Sequence, residues 1–291
     1  MYSNKLYTPL RYPGGKARFA PFIACVMERN GLSGGHYLEP YAGGAGVALE
    51  LLFHGTASHI HINDIDPAVN AFWTAVTEEP EGMLRLVRDT SVTMQNWHHY
   101  RDVMLGLRDA SPLEVGFATL FLNRTNRSGI LKGGVIGGKA QAGVYKLDAR
   151  FMRDALSSRI ERIAQHSQKI HVYGEDALCL LKRCREFLPQ RSLIYLDPPY
   201  YVKGQGLYRN FYGHEDHVRI AKLLQGQRFT RSWVVSYDNV EQIQQMYGAS
   251  KTLTYGLHYT AQQRYVGSEV MFFSERLSVP AEISSVDSVA A

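Results

Sequence analysis

Five short apolar runs in this chain end in, or run into, a polar or acidic residue: Tyr37–Glu39, His59–Asp64, Lys169–Tyr173, Leu193–Leu196 and Trp233–Ser236. Strands that deliver side chains to the carboxyl edge of a sheet have this form. Leu253–Tyr259 and Glu269–Phe273 fit a C-terminal hairpin closing the same sheet. Helical stretches separate most of the runs. Ala45–Phe53 places Val47 with Leu51 and Ala48 with Leu52 at i,i+4 spacing, Gly55 is a stop signal, and Glu215–Leu224 is again amphipathic. Strands alternating with helices predict an open α/β sheet.

The alternation breaks between about residues 70 and 166. Met83–Val87, Pro112–Leu122 and Phe151–Ile163 read as helical, around a glycine-rich Ser128–Gly143 expected to form a loop or β-hairpin. The expected division is a first sheet segment at 1–69, an inserted helical domain at 70–166, and a second sheet segment at 167–291 whose tail frays from about 278. From Leu120 to Lys169 ten Lys and Arg face three acids, although the whole chain carries only +5. That concentration is the electrostatic footprint of a polyanion binder. A solvated helical face explains Arg150–Lys169 as well, but not the glycine-rich part.

No apolar run approaches the roughly 18 residues of a membrane span, and Met1 to Leu10 lack the apolar core of a signal peptide. Three cysteines, Cys25, Cys179 and Cys184, make no disulfide framework. A cytoplasmic protein is expected, with Cys179 and Cys184 as packing residues.

Glu39-Pro40-Tyr41-Ala42-Gly43-Gly44-Ala45-Gly46 follows a strand and opens a helix. Glycines there let the backbone turn tightly and approach a ligand. Asp64, at the end of the next strand, suits a ribose. This pair specifies an adenosine-containing ligand, a nicotinamide cofactor included. Arg11-Tyr12-Pro13-Gly14-Gly15-Lys16 is not a phosphate loop, because Leu10 stands where the first glycine belongs and Ala17 where Ser or Thr belongs. Lys16 is expected to face the carboxylate of a bound amino acid.

Leu193-Ile194-Tyr195-Leu196 runs into Asp197-Pro198-Pro199-Tyr200. Successive prolines hold this segment as a rigid platform. An exocyclic aryl amine is a poor nucleophile, since its lone pair is delocalised into the ring. The Asp197 carboxylate and the Pro198 carbonyl, each accepting one N–H, favour a more tetrahedral nitrogen and stabilise positive charge developing on it. Tyr200 offers a face for a base extruded from its stack.

Together with the glycine loop and the Arg11–Lys16 segment, the tetrapeptide resembles the Dam-type N6-adenine DNA methyltransferases, from about Thr8 to Ser274 and in the same motif order. The resemblance implies a Rossmann-like class I methyltransferase sheet, S-adenosylmethionine as cofactor and double-stranded DNA as substrate. It implies that Tyr12 and Lys16 touch the cofactor. The Glu39–Gly46 loop then holds its methionine part, Asp64 with Ile65 its ribose, and Asp176 with Ala177 its adenine. Asp197, Pro198, Pro199 and Tyr200 hold the target base. Asp216-His217 and Ser236-Tyr237-Asp238 occupy the places of later motifs. The insertion matches a target-recognition domain, with Asn123, Arg124, Asn126, Arg127, Ser128, Lys132 and Lys139 as expected DNA contacts; Arg favours guanine and Asn adenine. The turn departs from the family, with Arg-Ser-Gly in place of aromatic-Asn-Gly. A monomer is expected, with a cognate restriction enzyme as a partner to consider.

Two other methylations, of RNA adenine or of cytosine N4, usually change the first or last residue of the tetrapeptide. A nicotinamide-dependent oxidoreductase accounts for the glycine loop and Asp64 but leaves Asp197–Tyr200 and the basic insertion idle. A DNA-binding protein with a degenerate core is at odds with intact Asp197 and intact glycines. His214-x-x-His217 and His98-His99 lack further clustered ligands and read as surface or packing residues, so no metal is expected.

Overall fold

A computed structural model describes residues 7–12, 15–201, 212–259 and 265–280. Pro13, Gly14 and most of the expected frayed tail lie outside these residues. The seven strands are β1 (Gly35–Glu39), β2 (Ala57–Asn63), β3 (Ile170–Tyr173), β4 (Ser192–Leu196), β5 (Ser232–Asp238), β6 (Lys251–Tyr259) and β7 (Tyr265–Phe273). They form one sheet in the order 3-2-1-4-5-7-6. β1 to β5 pair in parallel, whereas β7 runs antiparallel to both β5 and β6. Every strand read from the sequence is present, within a few residues at its ends. This is the Rossmann-like methyltransferase sheet that the resemblance implied.

Alternation along the strands gives the sheet two dry faces. Tyr37, Leu193, Tyr195, Val234, Met271 and Phe273 belong to the core on one face; Leu38, Ile194, Leu196, Val235, Val270 and Phe272 belong to the other. The first face is covered by α1 (Ala20–Arg29), α2 (Gly46–Phe53) and α3 (Pro67–Glu78). Four helices then intervene before β3: α4 (Pro80–Asp89), α5 (Met94–Met104), α6 (Pro112–Thr125) and α7 (Arg153–Ala164). The second face is covered by α8 (Ala177–Arg183), α9 (His214–Gln225) and α10 (Glu241–Met246). Cys184 is buried in that second core, but Cys179 is exposed, so only one of the two cysteines packs as expected.

The α4–α7 helices share a core with the first face. Phe117 and Phe121 of α6 and Trp97 and Tyr100 of α5 join Phe72 and Trp73 of α3 in one cluster. The residue 69/70 boundary falls inside α3. α6 lies close on α3 because Gly116 has no Cβ, which would sit 2.7 Å from the Ala71 carbonyl, and Thr119 donates to the Ala68 carbonyl at 3.0 Å. Its start is fixed by Pro112 and by the Ser111–Glu114 capping box. Ser128–Gly143 forms turns rather than a hairpin, tied by a single bridge between Asn126 and Val135. The backbone N–H and carbonyl of Ser278 are both bound by the Asn30 amide (2.7 and 2.9 Å). No helix among the described residues is long and apolar enough to cross a membrane.

Part of the second face, beside α8, carries imidazoles. His36, His59, His61 and His171 stack across β1, β2 and β3 with ring centroids 4.5–5.8 Å apart. His61 sits at the centre, bonded to His36 at 2.9 Å and to the Tyr173 hydroxyl at 3.0 Å. Burial, then repulsion from the neighbouring rings, holds His61 down at about 3 and lowers His36 and His171 as well. These groups bind protons more readily in the unfolded chain. Their contribution to stability is complete above the ordinary value of 6.5 and is lost as pH falls through the depressed folded values. The melting temperature should therefore drop between pH 7 and pH 5, measured by scanning calorimetry, and drop less in His61→Leu. An equal drop in both proteins would contradict this.

Candidate active site

The strand order reverses between β1 and β4, so the crevice at their carboxyl ends is where an open α/β sheet binds ligands. Glu39 and Asp197 end or follow these two strands. One cavity of about 560 Å³ joins them and takes in Tyr12, Lys16, Pro40, Tyr41, Ala42, Gly44, Gly46, Asp64, Ile65 and Pro199. Pockets of this size hold molecules as large as a nucleoside cofactor.

The glycine loop is held from several sides. Asp64 accepts the Gly43 and Asp66 backbone N–H groups, each at 2.9 Å, and Trp73 donates its indole N–H to the Gly43 carbonyl at 2.9 Å. Gly43 has φ +47, and a Cβ there would lie 2.6 Å from the Tyr12 ring. Both the backbone conformation and that contact require glycine. Ala45, at φ +47, caps α2 in the left-handed region, a strained setting for a residue with a side chain. Glu39 is buried and accepts the Tyr37 hydroxyl and the Ala48 N–H, both at 3.0 Å. Burial raises its pKa to about 8 and that of Asp64 to about 6. Buried Asn63 joins the loop to the turn after β3, bonding the Pro40 carbonyl and both backbone groups of Glu175. The fit to an adenosylated amino acid is good: a half-buried carboxylate, Asp64, lines the cavity with an exposed apolar neighbour, Ile65. Asp176 and Ala177 are not in the cavity wall; Asp176 caps α8 through the Cys179 N–H, and Ala177 is buried.

At the other end of the crevice, Ser236 donates to Asp197 at 2.7 Å and meets the Tyr195 hydroxyl at 3.0 Å. Two residues further along β5, Asp238 accepts the Tyr201 N–H at 3.0 Å. Ser236 and Asp238 thus flank the tetrapeptide from one strand face. The Lys16 amine, with a side chain only 5% exposed, lies 3.0 Å from Glu269 and 3.6 Å from Asp197. It also bonds the Tyr200 hydroxyl, which in turn donates to Glu269. Tyr255 donates to the same carboxylate at 2.8 Å. Lys16 therefore lines the cavity from the tetrapeptide side, whereas the sequence reading sets it against a cofactor carboxylate. Its amine is already held by two acids and a phenol. Glu269 was not among the expected site residues. Its signal was an acid in register with Met271 and Phe273 on the buried face of a hydrophobic strand.

Three residues expected to touch DNA are turned inward. Asn123 bonds the backbone N–H and carbonyl of Arg11 (2.7 and 2.8 Å) and the Gly129 carbonyl (2.8 Å). Arg124 donates twice to the Pro9 carbonyl. Asn126 accepts the Trp97 indole N–H at 2.7 Å and donates to Ile130 and Leu131. All three are buried, and they brace the turn rather than face solvent. Arg127, Ser128, Lys132 and Lys139 are exposed, with Ser128 at the tip in the left-handed region. His217 is buried against Tyr237, whereas His214 is exposed and bonds Tyr201.

A crevice at the switch point that is large enough for a nucleoside cofactor, joined to a tetrapeptide that presents a carboxylate, is the arrangement of a methyltransferase of the Rossmann-like type. The chain belongs to the D12 class N6 adenine-specific DNA methyltransferase family, whose model matches residues 12–265. That membership removes the nicotinamide-dependent alternative. A search of curated proteins gives no match. Among solved structures, one from Pyrococcus horikoshii named as a "putative RNA methyltransferase" aligns over 91% of this chain and 85% of its own, at 10% identity and a TM-score of 0.41. That likeness is too low to carry an argument about either chain.

Burial raises the pKa of Asp197, while Lys16 and the Ser236 hydroxyl oppose the rise. Only the ionised carboxylate has both oxygens free to accept. Ser236→Ala should therefore move the acidic limb of the pH–rate profile for methyl transfer to higher pH. A lower plateau with an unmoved limb would show that Ser236 acts by packing alone.

Proposed function

We propose that this chain transfers a methyl group from S-adenosylmethionine to N6 of an adenine extruded from double-stranded DNA. The observation that carries the reading is the single cavity in which the Asp64-anchored glycine loop and the braced Asp197 meet. Tyr12, the Glu39–Gly46 loop, Asp64 and Ile65 are the residues that would hold the cofactor, which supplies an activated methyl group.

The chain's own residues prepare the amine. Asp197 and the Pro198 carbonyl each accept an N–H, drawing the nitrogen lone pair out of the ring and stabilising charge as it develops. Lys16 and the Ser236 hydroxyl favour the ionised form of Asp197 against the desolvation that opposes it. The Tyr200 hydroxyl is anchored to Lys16 and Glu269, which fixes its ring as a platform for the base. Extruding a base costs a few kcal/mol, offset here by stacking and by these bonds.

Residues 70–166 serve as the target-recognition unit in this reading. Exposed Arg127, Ser128, Lys132 and Lys139 approach the duplex, while Asn123, Arg124 and Asn126 set the shape of their turn. Purified protein given cofactor tritiated on the methyl group should label duplex DNA, with the label recovered as N6-methyladenine. Label in cytosine, or in RNA alone, would overturn the reading.

A further inference from the structure

The cavity has a basic end that the methyl-transfer machinery does not use. Arg11, Arg124, Arg150 and Arg159 line it together, on the side of the insertion and the N-terminal segment. Arg159 donates to the Thr8 carbonyl at 2.9 Å and Arg124 to the Pro9 carbonyl at 2.7 Å. The same segment lies against the glycine loop: a Cβ on Gly44 would stand 3.5 Å from the Thr8 hydroxyl and 3.1 Å from the Tyr12 Cβ. Arginines and glycine loop are thus contiguous walls of one space.

Among the described residues, none of the four forms an ion pair with a carboxylate. The Nη1 of Arg11 is buried with no hydrogen-bond partner. Burial, with added repulsion from Arg159 and Arg11, lowers Arg124 to about 9; burial and Arg150 lower Arg11. Gathering like charges in a partly dry space is unfavourable unless an anion joins them. The carboxylates that line the cavity, Glu39, Asp64, Asp66 and Asp197, come from the ends of β1, β2 and β4 and the turn after β2, and none of them pairs with these arginines.

We propose that Arg11, supported by Arg124, Arg150 and Arg159, forms the subsite for the α-carboxylate of the cofactor's amino-acid end. This rests on the cofactor reading given above. Lys16 is not available for the task, being held by Glu269 and Asp197. A guanidinium with a free buried N–H, in contrast, suits a carboxylate well.

The test is equilibrium binding by titration calorimetry, with S-adenosylmethionine and with decarboxylated S-adenosylmethionine, which keeps the sulfonium and the adenosine. The native protein should bind the intact cofactor at least about tenfold more tightly, the size expected for a charge-assisted hydrogen bond. Arg11→Gln should remove most of that preference by weakening the intact cofactor and leaving the decarboxylated one unchanged or tighter. The comparison in the native protein stands even if the variant does not fold. Equal binding of the two compounds by the native protein would overturn the subsite while leaving the cofactor reading intact. A variant that keeps its cofactor preference but loses duplex binding would also overturn it, assigning the arginines to a DNA phosphate. Binding of neither compound by the native protein would overturn the cofactor reading itself, and the subsite with it.

Discussion

A buried ammonium holds one end of the crevice together. Lys16 comes from the N-terminal segment, Asp197 from the end of β4 and Glu269 from an antiparallel strand 253 residues away in sequence. An amine taken out of water needs compensating charge, and a buried carboxylate needs a cation. Each of the three groups is costly alone, and together they are stable only in this arrangement. Their meeting fixes where the N-terminal segment crosses the sheet edge, and Tyr200, bonded to two of them, is placed by the same contact. Tyr12, four residues before Lys16, is thereby laid over the glycine loop.

The insertion is tied to this centre through backbone rather than through charge. Asn123 closes both backbone groups of Arg11, so the end of α6 and the N-terminal segment are one unit. Gly129, at φ +75, has its Cα so near the Arg11 carbonyl that a Cβ would lie 2.3 Å from it. Whatever the exposed turn at Arg127–Ser128 meets is consequently connected, through a few hydrogen bonds, to the wall of the cavity. An exposed turn and a cavity built this way share one rigid frame.

Much of this was legible in the sequence. The strands were, because apolar runs ending in polar residues have a period and a boundary that local physics dictates. The placement of the glycine loop and of Asp197 at strand ends was, because few other arrangements need those residue types in that order. The contacts of Lys16 were not, since its partner Glu269 is distant in sequence and its environment depends on how β7 docks. The burial of Asn123, Arg124 and Asn126 was not legible for a related reason. An amide or guanidinium after a helix can brace a turn or read a base, and only the surroundings decide, here Trp97 and the carbonyls of residues 9 and 11. Arg11, Arg150 and Arg159 were not distinguishable from ordinary surface charge until the fold gathered them around one cavity.

The central claim is that Lys16 serves the reaction and not the cofactor. Lys16→Met, compared with the native protein in cofactor binding and in single-turnover transfer, tests it most directly. The account expects cofactor affinity to stay within a few-fold while transfer at saturating cofactor falls by roughly 10² or more, the order seen when a preorganised electrostatic group is lost. A variant that binds cofactor far more weakly, yet transfers at the native rate once saturated, would contradict it.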